Sequence, residues 1–312
     1  MLLHQLAPRG IDLIAAHLDH GLRLDSTSDA AWTAEFCATR KIPYVTECRN
    51  AAATASAQHL TIEEAARRVR YGFLLDVAQR ETARWVAVAH TADDQAETVL
   101  HNLLRGTGWA GLRGMAEQQL LVSLGNQLAV PGNSNASDQP IHLLRPLLGC
   151  RRSVVLAELA RTGTIARHDP SNDDPRHTRN RLRRNVLPVL RDVNPQVEEA
   201  ILRLQQQSAE WYSVIHSQVE AALTLAILEQ QPEIVRLQLD RLASLARPMV
   251  RECFVALWQR QTWPRKEMNS SHWNALADLC LSTEAATRAH DLPGNLTAER
   301  RGGIVIVRSR HP

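Results

Sequence analysis

WVAVAHTADDQAETVLHNLLRGTG, Trp85–Gly108, decides the fold. A short apolar run, Trp85–His90, reads as a buried strand. Thr91 then opens a helix that ends at the glycines of RGTG. Within that helix Ala96, Val99, Leu100, Leu103 and Leu104 follow the i, i+3, i+4, i+7, i+8 spacing that lays an apolar stripe against a core. Asp94, Glu97 and His101 share a different face at i, i+3 and i+7. Two carboxylates on a first helical turn, just past a strand end, form a compact anionic patch suited to an ammonium or a magnesium ion. Thr91-x-x-Asp94 also has the form of a capping box, and acids favour helix N-termini in any case. Capping accounts for one carboxylate and leaves Asp93, Glu97, His90 and His101 to be explained by function.

The same alternation extends toward the N-terminus. Ile11–Asp19 reads as a buried strand, Ser28–Arg40 as a helix, Ile42–Cys48 as a strand and Ile62–Gln79 as a helix. Strands alternating with amphipathic helices predict an α/β fold, a Rossmann-like parallel sheet with flanking helices. Ligands of such sheets bind at the carboxyl ends of the strands. Further on, Gln118–Val130 suggests a hairpin, Pro131–Pro140 a surface loop, and Arg152–Thr162 a helix. Strand signals vanish beyond about Val193, and helical periodicity runs from Pro195 to Leu281. LPGNLTAERRGGIVIV, Leu292–Val307, closes as a hairpin. This predicts two domains, 1–193 and a smaller, mainly helical 194–312, with the boundary near Asn194.

A chain of 312 residues, 44% hydrophobic and 22% charged, is neither disordered nor fibrous. No uninterrupted apolar stretch nears the roughly 18 residues of a membrane span. The opening MLLHQLAPRG is too short an apolar run for a secretory signal. The cysteines Cys37, Cys48, Cys150, Cys253 and Cys280 are dispersed and form no CxxC, which argues against a disulfide framework or a structural metal site. A soluble cytoplasmic protein is expected. Of the 36 basic residues only Lys41 and Lys266 are lysines. Between Arg145 and Arg191 eleven arginines face four acids, so the positive charge is concentrated there although the whole chain carries only +3. Guanidinium forks suit phosphate, so this stretch has the signature of a phosphate-backbone footprint; a GC-rich genome would also enrich arginine.

Two more segments carry candidate chemistry. In TIEEAARRVRYGFLL, Thr61-x-x-Glu64 has capping-box form and Ile62, Ala66, Val69 and Phe73 make the buried stripe. Glu63–Arg67 and Glu64–Arg68 have i,i+4 spacing, which leaves Arg70 outside those pairs as a candidate for phosphate or substrate. In AHLDHGLR, His17, Asp19 and His20 are open to three readings: metal ligands, a nucleotide-edge loop, or a polar turn.

HLDHGLR, EEAARRVRY, AHTADDQAETVLHNLLRGTG-x-x-GLRGM, RPLL and DPSN…RNRLRRNVLP occur in this order, and together they resemble the tRNA(Ile)-lysidine synthetase family of the N-type ATP-pyrophosphatase superfamily. The resemblance covers most of the chain. It implies ATP-dependent adenylation of C2 of the wobble cytidine, C34, in a CAU anticodon of tRNA(Ile). The ε-amine of L-lysine then displaces AMP to give lysidine. ATP, Mg²⁺ and L-lysine are the implied cofactors and co-substrate; tRNA(Ile) and a second copy of the chain are the implied partners. On the same basis Asp94 and Glu97 hold the amine, His90 and Arg70 line the reaction centre, and Arg179 reaches toward the adenylate. His17, Asp19, Gly106 and Gly108 fall to the nucleotide; Arg176, Arg181, Arg183 and Arg184 fall to tRNA phosphates. Trp109 has two readings: a partly buried loop tryptophan, which is favoured, and a stacking face for an extruded base.

The family's SGGxDS phosphate loop is not found in these residues, which leads to the expectation that the sheet's first strand and that loop lie outside them. Two alternatives stay open: a tRNA thiolase of the same superfamily, against which the missing CxxC speaks, and a non-catalytic tRNA-binding remnant.

Overall fold

A computed structural model describes residues 6, 9–21, 26–121, 139–166, 178–265, 267–282 and 289–309. Most of the expected loop at Pro131–Pro140, the far arm of the hairpin expected at Gln118–Val130, and Arg176 lie outside the described residues. The chain forms two compact units, Met1–Ser208 and Ala209–Pro312.

The first unit is α/β. Strand β1 (Ala15–Asp19) leads to α1 (Ser26–Ala38), β2 (Tyr44–Cys48), α2 (Ala51–Gln58) and α3 (Ile62–Arg80). There follow β3 (Trp85–Ala87), α4 (Ala92–Leu104), a short α5 (Trp109–Leu112), β4 (Gln118–Leu120), β5 (His142–Leu144) and α6 (Arg152–Arg161). The unit continues through α7 (Thr178–Arg181), a π-helical turn (Leu182–Val186), α8 (Leu187–Val193) and the start of α9 (Val197–Ala226). β1 and β2 pair in parallel, Ala15 opposite Tyr44 and Asp19 opposite Cys48. β3 and β5 also pair in parallel, while β4 adds to β5 antiparallel. Crossover helices between parallel strands are what the alternating sequence demands.

Some boundaries move inward. Ile11 and Ile14, expected in the first strand, are exposed, and pairing begins only at Ala15. Helix α2 has no counterpart among the expected elements: Asn50 caps it by accepting from the Ala53 amide at 2.9 Å, and the following alanines keep it. On α3 the buried face is Ala65, Val69, Phe73 and Val77, while Ile62 is exposed. On α4 the expected stripe holds through Ala96, Val99 and Leu100 and then fails, because Leu103 and Leu104 lie in the exposed last turn.

The second unit carries the remainder of α9, a five-stranded antiparallel sheet and three helices: α10 (Leu239–Ala243), α11 (Arg247–Arg260) and α12 (Ser270–Leu281). Strand order is β6 (Ile227–Gln230), β7 (Ile234–Gln238), β10 (Ile304–Ser309), β9 (Leu296–Arg301), β8 (His290–Leu292). Helical periodicity spans β6 and β7 in the sequence; both are strands, held by the pairing of β7 with β10, Val305 opposite Leu237. Alternate residues Val235, Leu237, Val305, Val307, Leu296 and Ala298 turn inward onto Phe254, Leu257 and Leu276 of the helices. At the centre Trp258, fully buried, meets Trp263 and Trp273 edge-on at 5.0 and 5.4 Å. Among the described residues no helix is long and apolar enough to cross a membrane.

Candidate active site

Ala92 donates its amide to the Cys150 carbonyl at 2.9 Å, seating the start of α4 just beyond the carboxyl end of β3. Thr91 is the N-cap: its amide and hydroxyl both donate to Asp94 Oδ2, at 2.8 and 2.7 Å, and its Oγ1 accepts from the Asp94 amide. The capping box is therefore real, and it fixes one oxygen of Asp94. Asp93 has a separate structural task. Its Oδ2 accepts from the Arg152 amide at 2.7 Å, capping α6, and its Oδ1 lies 3.5 Å from the Arg151 guanidinium.

Glu97 is buried, and burial pushes its carboxyl above the ordinary carboxylate range, against the pull of a guanidinium partner. That partner is Arg183. Its Nε donates to Glu97 Oε1 at 2.6 Å and an Nη to Oε2 at 3.0 Å, while the same nitrogen stands 3.5 Å from Asp94 Oδ1. The carboxylate pair expected to face a free ammonium thus faces an arginine of this chain. Arg183, expected on RNA phosphate, is turned inward from the π-helical turn.

His90 is half-buried, with a buried Nδ1 that has no hydrogen-bond partner. Burial, then the positive field of Arg145, brings it down to about 4, with Asp94 opposing and Arg67 and Arg179 adding. It is a neutral imidazole at neutral pH and a weak base. Arg179 also acts electrostatically on Glu97 and His101. Arg145 itself is almost wholly buried and donates to the Ala116 carbonyl at 2.6 Å and to Gln119 Oε1 at 3.0 Å. It belongs to the site; the sequence offers it in RPLL and as the first arginine of the basic stretch, and its burial turns it away from the phosphate footprint read there.

At the ends of β1 and β2, Asp19 Oδ1 accepts from the Gly21 amide at 2.8 Å, a polar turn. Burial, then Arg70, lowers His20 to about 4, and its Nδ1 is also buried without a partner. His17 is lowered by burial. Arg70, exposed on α3, thus stands beside the β1 end. Among the described residues no three metal-ligating side chains converge, and His17, Asp19 and His20 are not brought together as a ligand set.

Of the two glycines expected to let a ligand approach, Gly106 has φ +69° and a Cβ there would meet open space; Gly108 has ordinary backbone and open space as well. Packing requires glycine at Gly111, where a Cβ would come within 2.5 Å of Thr107 Cβ, and at Gly114, with φ +63°, where a Cβ would come within 2.6 Å of Gln95 Oε1. Buried Gln95 exchanges hydrogen bonds with the Met115 backbone, both at 2.8 Å, so the loop after α5 is tied to α4. Trp109 is exposed. Arg181 and Arg184 are exposed too.

A profile of the PP-loop domain matches residues 1–190. The tRNA(Ile)-lysidine synthase of Thermus thermophilus is 33% identical over 97% of this chain and 53% of its own length. That of Rhodopirellula baltica is 31% identical over 86% of this chain and 68% of its own. That of Novosphingobium aromaticivorans reaches 40% over 59% of the chain and 50% of its own length. The chain thus spans about half the length of the Thermus relative. Among solved structures, the U34-tRNA thiolase NcsA of Methanococcus maripaludis aligns with a TM-score of 0.47 and 18% identity over 67% of each chain.

Proposed function

The chain belongs to the PP-loop domain family and, within it, to the tRNA(Ile)-lysidine synthases, and from that premise we propose that it modifies the wobble cytidine of a CAU anticodon by joining lysine to C2 through an adenylated intermediate. The observation that carries this reading is the placement of Asp94 and Glu97, side by side on the first turns of α4 at the end of β3, with His90 beside Asp94. Residues 1–193 would do the chemistry and 194–312 would meet tRNA.

A nucleotide suits the ends of β1 and β2. His20 offers a neutral ring with an unpartnered buried Nδ1, and Arg70 beside it offers a phosphate-matching fork. ATP supplies the adenylyl group that makes C2 electrophilic. With no convergent three-ligand cluster among the described residues, magnesium enters as the companion of the ATP phosphates, and no step rests on it.

The chain's own part is to hold and deprotonate the amine. Asp94 and Glu97 fix the ammonium by charge-assisted bonds. The attacking form is the free amine, so a proton must leave before the C–N bond forms and AMP departs. His90, held near 4, is a poor acceptor; Glu97, raised by burial, is the better one. The neutral ring of His90 serves to line the reaction centre.

The test is incorporation of labelled lysine into tRNA(Ile), with the mass of nucleoside 34 read alongside. Asp94→Asn keeps the side chain's shape and removes one charge. Losing a charge-assisted bond of about 1.5–3 kcal/mol should raise the KM for lysine by about one to two decades while adenylation of tRNA persists. Loss of pyrophosphate release with lysine affinity intact would reassign Asp94 to magnesium. A sulfur-bearing nucleoside 34 would favour the thiolase instead.

The exposed Arg181 and Arg184 are assigned to tRNA phosphates. An Arg181→Ala/Arg184→Ala variant should weaken binding to all tRNAs alike and flatten the salt dependence by about one unit of slope for each phosphate no longer neutralised. Salt-titrated filter binding reads this, and an unchanged slope removes both residues from the interface.

A further inference from the structure

Three of the four oxygens of the amine-binding carboxylates are already hydrogen-bonded, and a guanidinium stands beside the fourth. Arg183 takes both Glu97 oxygens, Thr91 takes Asp94 Oδ2, and Arg183 stands 3.5 Å from Asp94 Oδ1. An ammonium arriving from solvent meets the Arg183 guanidinium at Glu97 and beside Asp94 Oδ1. Yet the two partners of the pair differ in exposure: the Glu97 side chain is 4% exposed and that of Arg183 30%. Solvent reaches part of the Arg183 side chain and almost none of Glu97. Arg183 also sits in a π-helical turn, a widened helical geometry that recurs where a helix serves a function, with exposed Arg181 and Arg184 on either side of it.

We propose that Arg183 is an internal stand-in for the substrate cation, drawn off Glu97 when a polyanion engages its segment, so that phosphate binding opens the amine site. This rests on the reading of Asp94 and Glu97 as the amine site. The exchange is chemically matched. A guanidinium fork fits a phosphate as well as a carboxylate, so leaving Glu97 costs it no hydrogen bond. A buried carboxylate left without a cation is strongly unfavourable, so departure of Arg183 and arrival of an ammonium favour each other. Coupling of this kind is reciprocal: the anion tightens the amine, and the amine tightens the anion. Arg183 touches no reacting atom and is a positioning residue. The arrangement would keep the amine site shut to free lysine and other cations until RNA is present.

Two measurements on the 312-residue chain test it. Calorimetric titration gives the Kd of L-lysine with and without an anticodon stem-loop RNA. For the parent chain lysine should bind about tenfold or more tightly with RNA; in Arg183→Gln it should bind equally well with and without. Arg183→Lys keeps the charge without the fork and should retain part of the coupling. RNA coupling of equal size in Arg183→Gln overturns the proposal. The second measurement needs no substitution and no lysine: carbodiimide-promoted labelling of Glu97 by a small amine, followed by peptide mass spectrometry. Tripolyphosphate should raise that labelling several-fold in the parent chain. Unchanged labelling sinks the stand-in role whatever lysine does. Raised labelling with no lysine binding in any variant supports the stand-in and condemns lysine as its occupant.

Discussion

With alanine at position 183 the first unit should lose about 3 kcal/mol of stability, the lower end of the range for breaking a buried pair, because Arg183 is partly reached by solvent. At roughly 2–4 °C per kcal/mol for a unit of this size, the melting temperature should fall by about 6–12 °C. The deficit depends on pH. Glu97 already stands above its ordinary value of 4.5 through burial, and loss of the guanidinium raises it further. A carboxyl raised in the folded state contributes stability that is complete below its unfolded pKa and is lost as pH rises through the folded value. The variant should therefore melt close to the parent near about pH 5 and well below it near about pH 8. Calorimetric scans across that interval read the difference directly. Coincident melting at both ends would mean that water reaches Glu97 and that the pair is a surface contact.

Trp258→Ala should be at least as costly, in the second unit. A large aromatic cut to alanine in a core costs about 3–5 kcal/mol, and the edge-on contacts with Trp263 and Trp273 add about 0.5–1.5 each. Denaturant titration followed by tryptophan fluorescence should show an early transition for this unit. A loss under about 1 kcal/mol would show that Trp263 and Trp273 close over the gap.

The first unit is legible because its signals are local. Thr91, the Asp94 and Glu97 spacing and the Ala96–Leu100 stripe each lie within a few residues, so the helix and its acidic turn follow from period and capping alone. What decides the site's chemistry is remote. Arg183 meets Glu97 across 86 positions and Asp93 caps Arg152 across 59, and no periodicity reports either pairing. Asp93 and Asp94 therefore read as one cluster and are two devices, a cap for α6 and a charge beside Glu97. The strands β6 and β7 escape the sequence for the same reason. β6 follows α9 with no glycine or proline between them, and the partner of β7 is Ile304–Ser309 at the far end of the chain. Gly106 and Gly108 draw attention by their motif, whereas Gly114 is fixed by Gln95, which only packing reveals.

The two bonds that Thr91 gives to Asp94 bear on how the site meets any ligand. A surface aspartate keeps several rotamers and loses that freedom when it binds; Asp94 lost it when α4 was capped. The ordering was completed during folding, so Oδ1 meets an incoming cation with its direction already set. Affinity at this carboxylate is thus drawn in part from the stability of a helix end. A change at Thr91 that never touches substrate would appear in equilibrium measurements as a less favourable binding entropy, with the binding enthalpy nearly unchanged.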